Sequence, residues 1–183
     1  DAFLTKIYNS VRWQTGAPSE AMSTLSVCGG EHTVFAGWQN PFKAAMHIMD
    51  EIGAHSLLDY WPYGNIRSAN EILEILEESD FDDSFVVSRM AEARFLRAFM
   101  YFELVKRYGG VPLITIPQSI DQPIEELMVP RNSEQEIYDF IAAELDEIAP
   151  DLPEGYSNDA FGRPTKWAAI ALKSRAMLYA GSI

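Results

Sequence analysis

Two aromatic stretches hold most of the side chains here that are equipped to bind a ligand. GWQNPF sets Trp38, Gln39 and Asn40 side by side, and DYWPYGN gathers Asp59, Tyr60, Trp61, Tyr63 and Asn65. A flat ring offers a face to stack on, and neighbouring amide and carboxyl groups offer hydrogen bonds. The combination suits a ligand with apolar faces and many hydroxyl groups. Both stretches precede helical patterns, where side chains can point outward. The same tryptophans can instead plug the end of a helical stack, because large aromatic residues are usually well buried.

Other constellations are weaker. His47, Glu51 and His55 recur at every fourth position, the spacing of a metal triad on one helix face. Gly53 interrupts that helix, and such sites are normally assembled from more than one element, so these residues read as structural or surface groups. Asp80, Asp82 and Asp83 in DFDDS have some calcium-loop character but lack the central glycine and distal glutamate, which leaves a solvated acidic turn. No metal and no cofactor is expected. The nucleophile-elbow, phosphate-loop, dinucleotide and paired-cysteine motifs are absent. Carboxylates are abundant enough for a glycosidase pair, but abundance does not place two of them across a cleft. The chain is expected not to be an enzyme.

The totals narrow the partners. Lys and Arg number 14 against 27 Asp and Glu, a net charge of −13, which repels phosphate backbones and excludes nucleic acid as a partner. Cys28 is the single cysteine, so no disulfide can form within the chain. No run approaches the roughly 20 uncharged apolar residues of a membrane span, and DAFLTKIYNS has no signal-peptide pattern.

The elements that would position these residues are helices. FLTKIYNSVRW carries Phe3, Ile7 and Val11 on one row, with Leu4 and Tyr8 on the next. FKAAMHIMDEI reads as helix up to Gly53, and the glycine-, serine- and proline-punctuated stretch before it reads as loop. NIRSANEILEILEES places Ile66, Ala69, Ile72, Leu73 and Leu76 on one stripe. AEARFLRAFMYFELVKRYGGVPLI spaces Ala91, Phe95, Ala98, Phe102 and Val105 four, three, four and three apart, and Gly109-Gly110 with Pro112 ends it. Small residues beside large ones let helices approach closely, so Phe95, Phe99 and Phe102 read as packing and not as a binding platform. Arg94, Arg97 and Tyr101 lie on an adjoining row and are expected to pair with acidic neighbouring helices. Ser133 and Glu136 form a capping-box pattern ahead of Ile137, Phe140, Ile141, Leu145 and Ile148, and Thr165 is the expected N-cap of KWAAIALKSRAMLYA.

Arg97-Ala98-Phe99-Met100-Tyr101 and Arg175-Ala176-Met177-Leu178-Tyr179 share their first, second and fifth residues. Each follows a more acidic partner helix. This predicts two stacked helical hairpins, as in tetratricopeptide-like arrays, with a long insertion between them. The expected architecture is all-α, an α-α superhelix over residues 64–181, preceded by a helix and loops over residues 1–63, in one domain spanning 1–183.

AEARFLRAFMYFELVKRYGGVPLI resembles the signature helix of the SusD/RagB family of outer-membrane nutrient-binding lipoproteins. YGNIRSANEIL, PRNSEQEIYDFIAAELDEIAPDLP and GRPTKWAAIALKSRAMLYAG resemble its flanking helices in the same order, over about residues 60–181. The resemblance implies the N-terminal helical part of a larger, surface-exposed protein of the cell outer membrane. It implies a lipid anchor absent from this chain, and hand-over of a bound glycan or other nutrient to a TonB-dependent, SusC-like transporter. In such a protein Trp38, Gln39, Asn40, Trp61, Tyr63 and Asn65 would bind oligosaccharide on a loop-rich rim. The alternatives are a helical-repeat scaffold that binds a peptide or protein partner in its groove, and a glycoside hydrolase.

Overall fold

The computed structural model describes residues 1–11, 60–157 and 160–182. The chain divides into two compact units, Asp1–Val11 with Pro62–Ile183, and Arg12–Trp61. The first unit is helical, and no strand occurs among the described residues. Its elements are α1 (Ala2–Ser10), α2 (Tyr63–Glu77), α3 (Asp83–Tyr108), the single turn α4 (Ile124–Leu127), α5 (Glu134–Ile148) and α6 (Lys166–Ala180). The pairs α2–α3 and α5–α6 form two hairpins. α3 packs on α2, α5 and α6, and α1 packs on α2 and α3. This is the tetratricopeptide-like stack of hairpins that the periodicity predicts. No described helix is long and apolar enough to cross a membrane.

The helix boundaries follow local chemistry. α3 starts at Asp83, eight residues ahead of its apolar stripe, because Asp82 is its N-cap. The Asp82 carboxylate accepts from the backbone N–H of Ser84 at 3.0 Å and of Phe85 at 3.4 Å. Hydrogen bonds from the Ser84 side chain and these amides hold its pKa below the usual carboxylate value. The acidic turn thus has a structural use as the cap of α3, and no group of three metal-ligating side chains occurs among the described residues. The capping box of α5 is present, with Ser133 and Glu136 satisfying each other's backbone amides. Thr165 Oγ1 accepts from Ala168 N–H at 3.2 Å to open α6. α1 stops at Ser10, earlier than the FLTKIYNSVRW pattern suggests, because Val11 is extended.

α3 ends where two glycines are needed for different reasons. Gly109 has φ 66°, a left-handed conformation that side chains with a Cβ resist. Gly110 has ordinary φ, but a Cβ there would sit 2.2 Å from the Asn132 carbonyl oxygen. The close approach lets Asn132 N–H donate to Val111 O at 3.0 Å, and Leu113 N–H donate to Asn132 Oδ1 at 3.0 Å. The Gly-Gly stop therefore also ties the end of α3 to the start of α5.

The core is centred on α3. Ala91, Phe95, Ala98, Phe102 and Val105 are buried as expected, and so are Ala93, Leu96, Met100, Tyr101 and Leu104 on the other faces. Phe99 is only half-buried. A helix buried all round must also bury its charges, and each is met by an opposite one. Arg97 Nη2 donates to Glu144 Oε2 of α5 at 2.7 Å, and its Nη1 donates to Asn70 Oδ1 of α2 at 2.8 Å. Arg94 binds Glu144 and Glu147. Glu92 accepts from Tyr8 Oη of α1 at 2.8 Å, from Arg163 at 3.1 Å and from Arg89. Glu103 holds Lys106 and Arg107. The expected pairing of Arg94 and Arg97 with an acidic helix is thus observed. Arg175 differs: it lies exposed on α6 and makes no ion pair among the described residues, unlike its neighbour Lys173, which pairs with Asp146.

Two contrasts check this account. Gly110→Ala should destabilise the chain by roughly 1–3 kcal/mol, since backbone and not a flexible side chain must yield, whereas Gly64→Ala, with nothing within 4 Å of the added Cβ, should leave it unchanged or stabilise it. Glu144→Gln should cost roughly 3 kcal/mol because it strips the buried Arg97 of its counter-charge. Lys173→Ala, which breaks an exposed pair with Asp146, should stay within about 0.5 kcal/mol. Urea unfolding reads all four, and equal effects within either pair would refute the explanation given for that pair.

Candidate functional site

The six residues predicted to form a ligand site are not all placed by the structure. Trp38, Gln39 and Asn40, with His47, Glu51 and His55, lie outside the described residues. Trp61 is exposed, at 50% of its free surface. Tyr63 and Asn65 stand on the first turn of α2, both half-buried. The turn forms there because the Pro62 carbonyl accepts from Asn65 and Ile66 N–H at 2.9 and 3.0 Å. Proline just ahead of a helix has φ already set for it.

Tyr63 is drawn into the scaffold. Its hydroxyl donates to the Pro112 carbonyl oxygen at 2.6 Å. Burial, followed by the nearby Tyr101, raises its pKa. Tyr63 lines a shallow cleft of about 230 Å³ with Gly64, Ile66, Arg67, Ile114, Ile116 and Gln118.

The contact at Pro112 is part of a larger clamp that sequence reasoning did not anticipate. Asn70 Nδ2 donates to Ile114 O at 3.0 Å, and Arg97 Nη1 donates to Thr115 O at 3.0 Å. Tyr101 Oη accepts from Ile114 N–H at 2.8 Å and lies 3.1 Å from Ile114 O. Burial pushes the Tyr101 hydroxyl up to about 12, so it remains a protonated donor and acceptor at any ordinary pH. Four side chains of α2 and α3 thus grip the backbone of residues 112–115. The sequence signal was Asn70, a lone amide inside the apolar stripe of α2, one turn before Glu74 and beside Ala69.

A second depression lies between the two hairpins. α2 and α5 both pack on α3 without contacting each other. The groove between them, of about 480 Å³, has Met90, Arg94 and Arg97 of α3 as its floor. Glu74 and Glu77 of α2 line one wall and Glu144 of α5 the other, with Thr115, Ile116 and Pro117 at one end. The arginines are engaged by Glu144 and Glu147, so the charge presented outward is that of the exposed Glu74 and Glu77. The groove can hold an extended chain with a basic side chain. It offers no pairing of nucleophile with base.

The chain is similar to known proteins along nearly its whole length. A family described as SusD-like, starch-binding associating with outer membrane, matches residues 2–178. A SusD-like protein of Bacteroides ovatus is 26% identical over 158 residues, covering 82% of this chain and 27% of that protein. Among solved structures, a SusD-like protein from Bacteroides fragilis superposes with a TM-score of 0.60 at 42% identity, over 64% of this chain and 22% of the other. A laminarin-binding SusD-like protein superposes with a TM-score of 0.60 at 33% identity, over 66% of this chain and 25% of the other. The chain therefore spans about a quarter of the length of the proteins it matches. The order of the hairpins, the gripped Gly-Gly-Val-Pro exit and the match over residues 2–178 have one explanation: this chain belongs to the SusD-like family.

Proposed function

We propose that this chain is the N-terminal helical part of a surface nutrient-binding protein of the outer membrane, which captures an oligosaccharide and passes it to a TonB-dependent transporter without catalysis. The observation that carries this reading is the family match across residues 2–178. A relative at 33% identity is named for binding laminarin, which supports a glycan as the ligand class. The helical unit supplies scaffold, Trp38 and Trp61 stack on sugar faces, and Gln39, Asn40 and Asn65 hydrogen-bond to hydroxyls. Tyr63 contributes ring face alone, since its hydroxyl is committed to Pro112.

A second reading has one observation behind it. The groove between α2 and α5 is open and acid-walled, as a helical scaffold that binds a peptide would require. That reading predicts peptide affinity with no dependence on Trp38 or Trp61.

The test is a glycan array probed with the full-length protein, the 183-residue chain, and full-length Trp38→Ala and Trp61→Ala. Loss of a stacking ring should weaken binding of a recognised glycan by about tenfold or more, in line with the weight of aromatic anchors in interfaces. Glycan binding by full-length protein that neither substitution disturbs would remove the site from these residues. No binding to any glycan, with peptide binding instead, would favour the groove.

A further inference from the structure

α6 is apolar on two opposite faces, and among the described residues one of them lies open. Ala169, Leu172 and Ala176 are buried where α6 packs on α5. On the other side Trp167, Ile170 and Leu178 are 55, 45 and 74% exposed, with Ala171 and Ser174 exposed between them. At helical spacing these five residues form one continuous stripe. A helix that is apolar all round belongs inside a stack, and the outermost helix of a stack needs a polar outer face. α6 does not have one.

The internal repeat indicates what the open face fits. When Arg175 is set on Arg97, Ala169 and Ala176 fall on Ala91 and Ala98, and all four alanines are buried. Ile170, Ala171, Ser174, Arg175 and Leu178 fall on Glu92, Ala93, Leu96, Arg97 and Met100. The five on α6 are exposed and their five counterparts on α3 are buried. Part of the cover on α3 is α5, which brings Glu144 to Arg97 at 2.7 Å. One turn before Glu144, Phe140 meets the Tyr101 ring edge-on at 5.4 Å and lies 5.6 Å from the Arg97 guanidinium carbon. Tyr179 of α6 is the counterpart of Tyr101 and is 44% exposed.

Charge narrows the occupant. Burial lowers the pKa of Lys106 on α3, and the charges of Arg107 and Arg175 lower it further against the pull of Glu103. Glu103 already holds Lys106 and Arg107, so Arg175 adds a positive charge that the described residues do not balance. A second copy of this face would bring another arginine to the first. The chain spans about a quarter of the length of the proteins it matches, and consecutive elements of a chain usually pack beside one another.

We propose that Arg175 is a second charge lock of the fold. A helix from the part of the protein beyond residue 183 lies along Trp167, Ile170 and Leu178 and sets a carboxylate on Arg175, with an aromatic residue one turn away against Tyr179. Arg97 fixes the height at which α5 docks, and Arg175 fixes it for that helix. The proposal rests on the reading of the chain as part of a larger protein, and not on what that protein binds.

The test uses the full-length protein. Arg175→Gln should lower its urea midpoint, as Arg97→Gln does, because each leaves a buried carboxylate without its counter-charge. Lys173→Ala should not, and Arg175→Lys, which keeps the charge, should recover part of the loss. In the unaltered protein, hydroxyl-radical labelling read by mass spectrometry should oxidise Trp167, Leu178 and Tyr179 several-fold more slowly than in a free peptide of residues 164–182. Oxidation at the peptide's rate would overturn the cover. A protected stripe with a silent Arg175→Gln would overturn the lock. Protection that disappears on dilution together with a dimer in sedimentation would assign the face to a second copy, and protection gained only with phospholipid vesicles would assign it to a membrane; either overturns the proposal. Glycan binding measured on the same protein judges the nutrient-capture reading separately, since neither result depends on the other.

Discussion

Burying a charged helix is the constraint from which the rest of this unit follows. α3 is enclosed from Ala91 to Val105, and that stretch carries Glu92, Arg97 and Glu103. An ion without a partner inside a protein costs several kcal/mol, whereas a paired and hydrogen-bonded one roughly breaks even. Neighbouring elements must therefore arrive with the right group at the right height. Tyr8 brings α1 to Glu92, Asn70 brings α2 to Arg97, and Glu144 brings α5 to the other side of the same guanidinium. Apolar stripes alone would let these helices slide by a turn with little loss. The charges do not permit it.

The same guanidinium links the scaffold to the surface. Arg97 reaches Asn70, Glu144 and the Thr115 carbonyl together, which a planar, multidentate group can do and an ammonium cannot. Every clamp contact on residues 112–115 is made to main chain. Such a grip fixes the path of the chain and places no demand on the side chains that follow. Residues 116–128 are thus free to carry isoleucines and carboxylates outward, as the core requires nothing of them.

Much of this was legible in the sequence, for stated reasons. The stripe Ile66, Ala69, Ile72, Leu73, Leu76 is wholly buried, as are Ile137, Ile141, Leu145 and Ile148, because helical periodicity reports directly on which face meets a neighbour. Caps at Ser133 and Thr165 are local chemistry and are read locally. What spacing could not convey was partnership across elements. Arg97 and Arg175 occupy matching places in similar helices, yet one is buried in a network and the other exposed, since burial depends on what packs against the helix and not on the helix itself. Asp82 shows the same limit at shorter range: an acidic turn and an N-cap are the same letters until the helix start is known. The aromatic company of Tyr63 suggests a ligand contact, but no spacing could reveal that its hydroxyl also donates to Pro112, 49 residues away.

The buried polar groups of the hairpins are poorly placed to touch a ligand. Arg97, Tyr101 and Glu144 have their hydrogen-bonding groups engaged inside the fold, so changing any of them disturbs the assembly of the hairpins before it could alter recognition. Trp61 has the reverse character in one respect: half of its surface is exposed. A scaffold that settles its buried charge internally, and grips its loops by their backbone, can keep one signature while presenting many different rims.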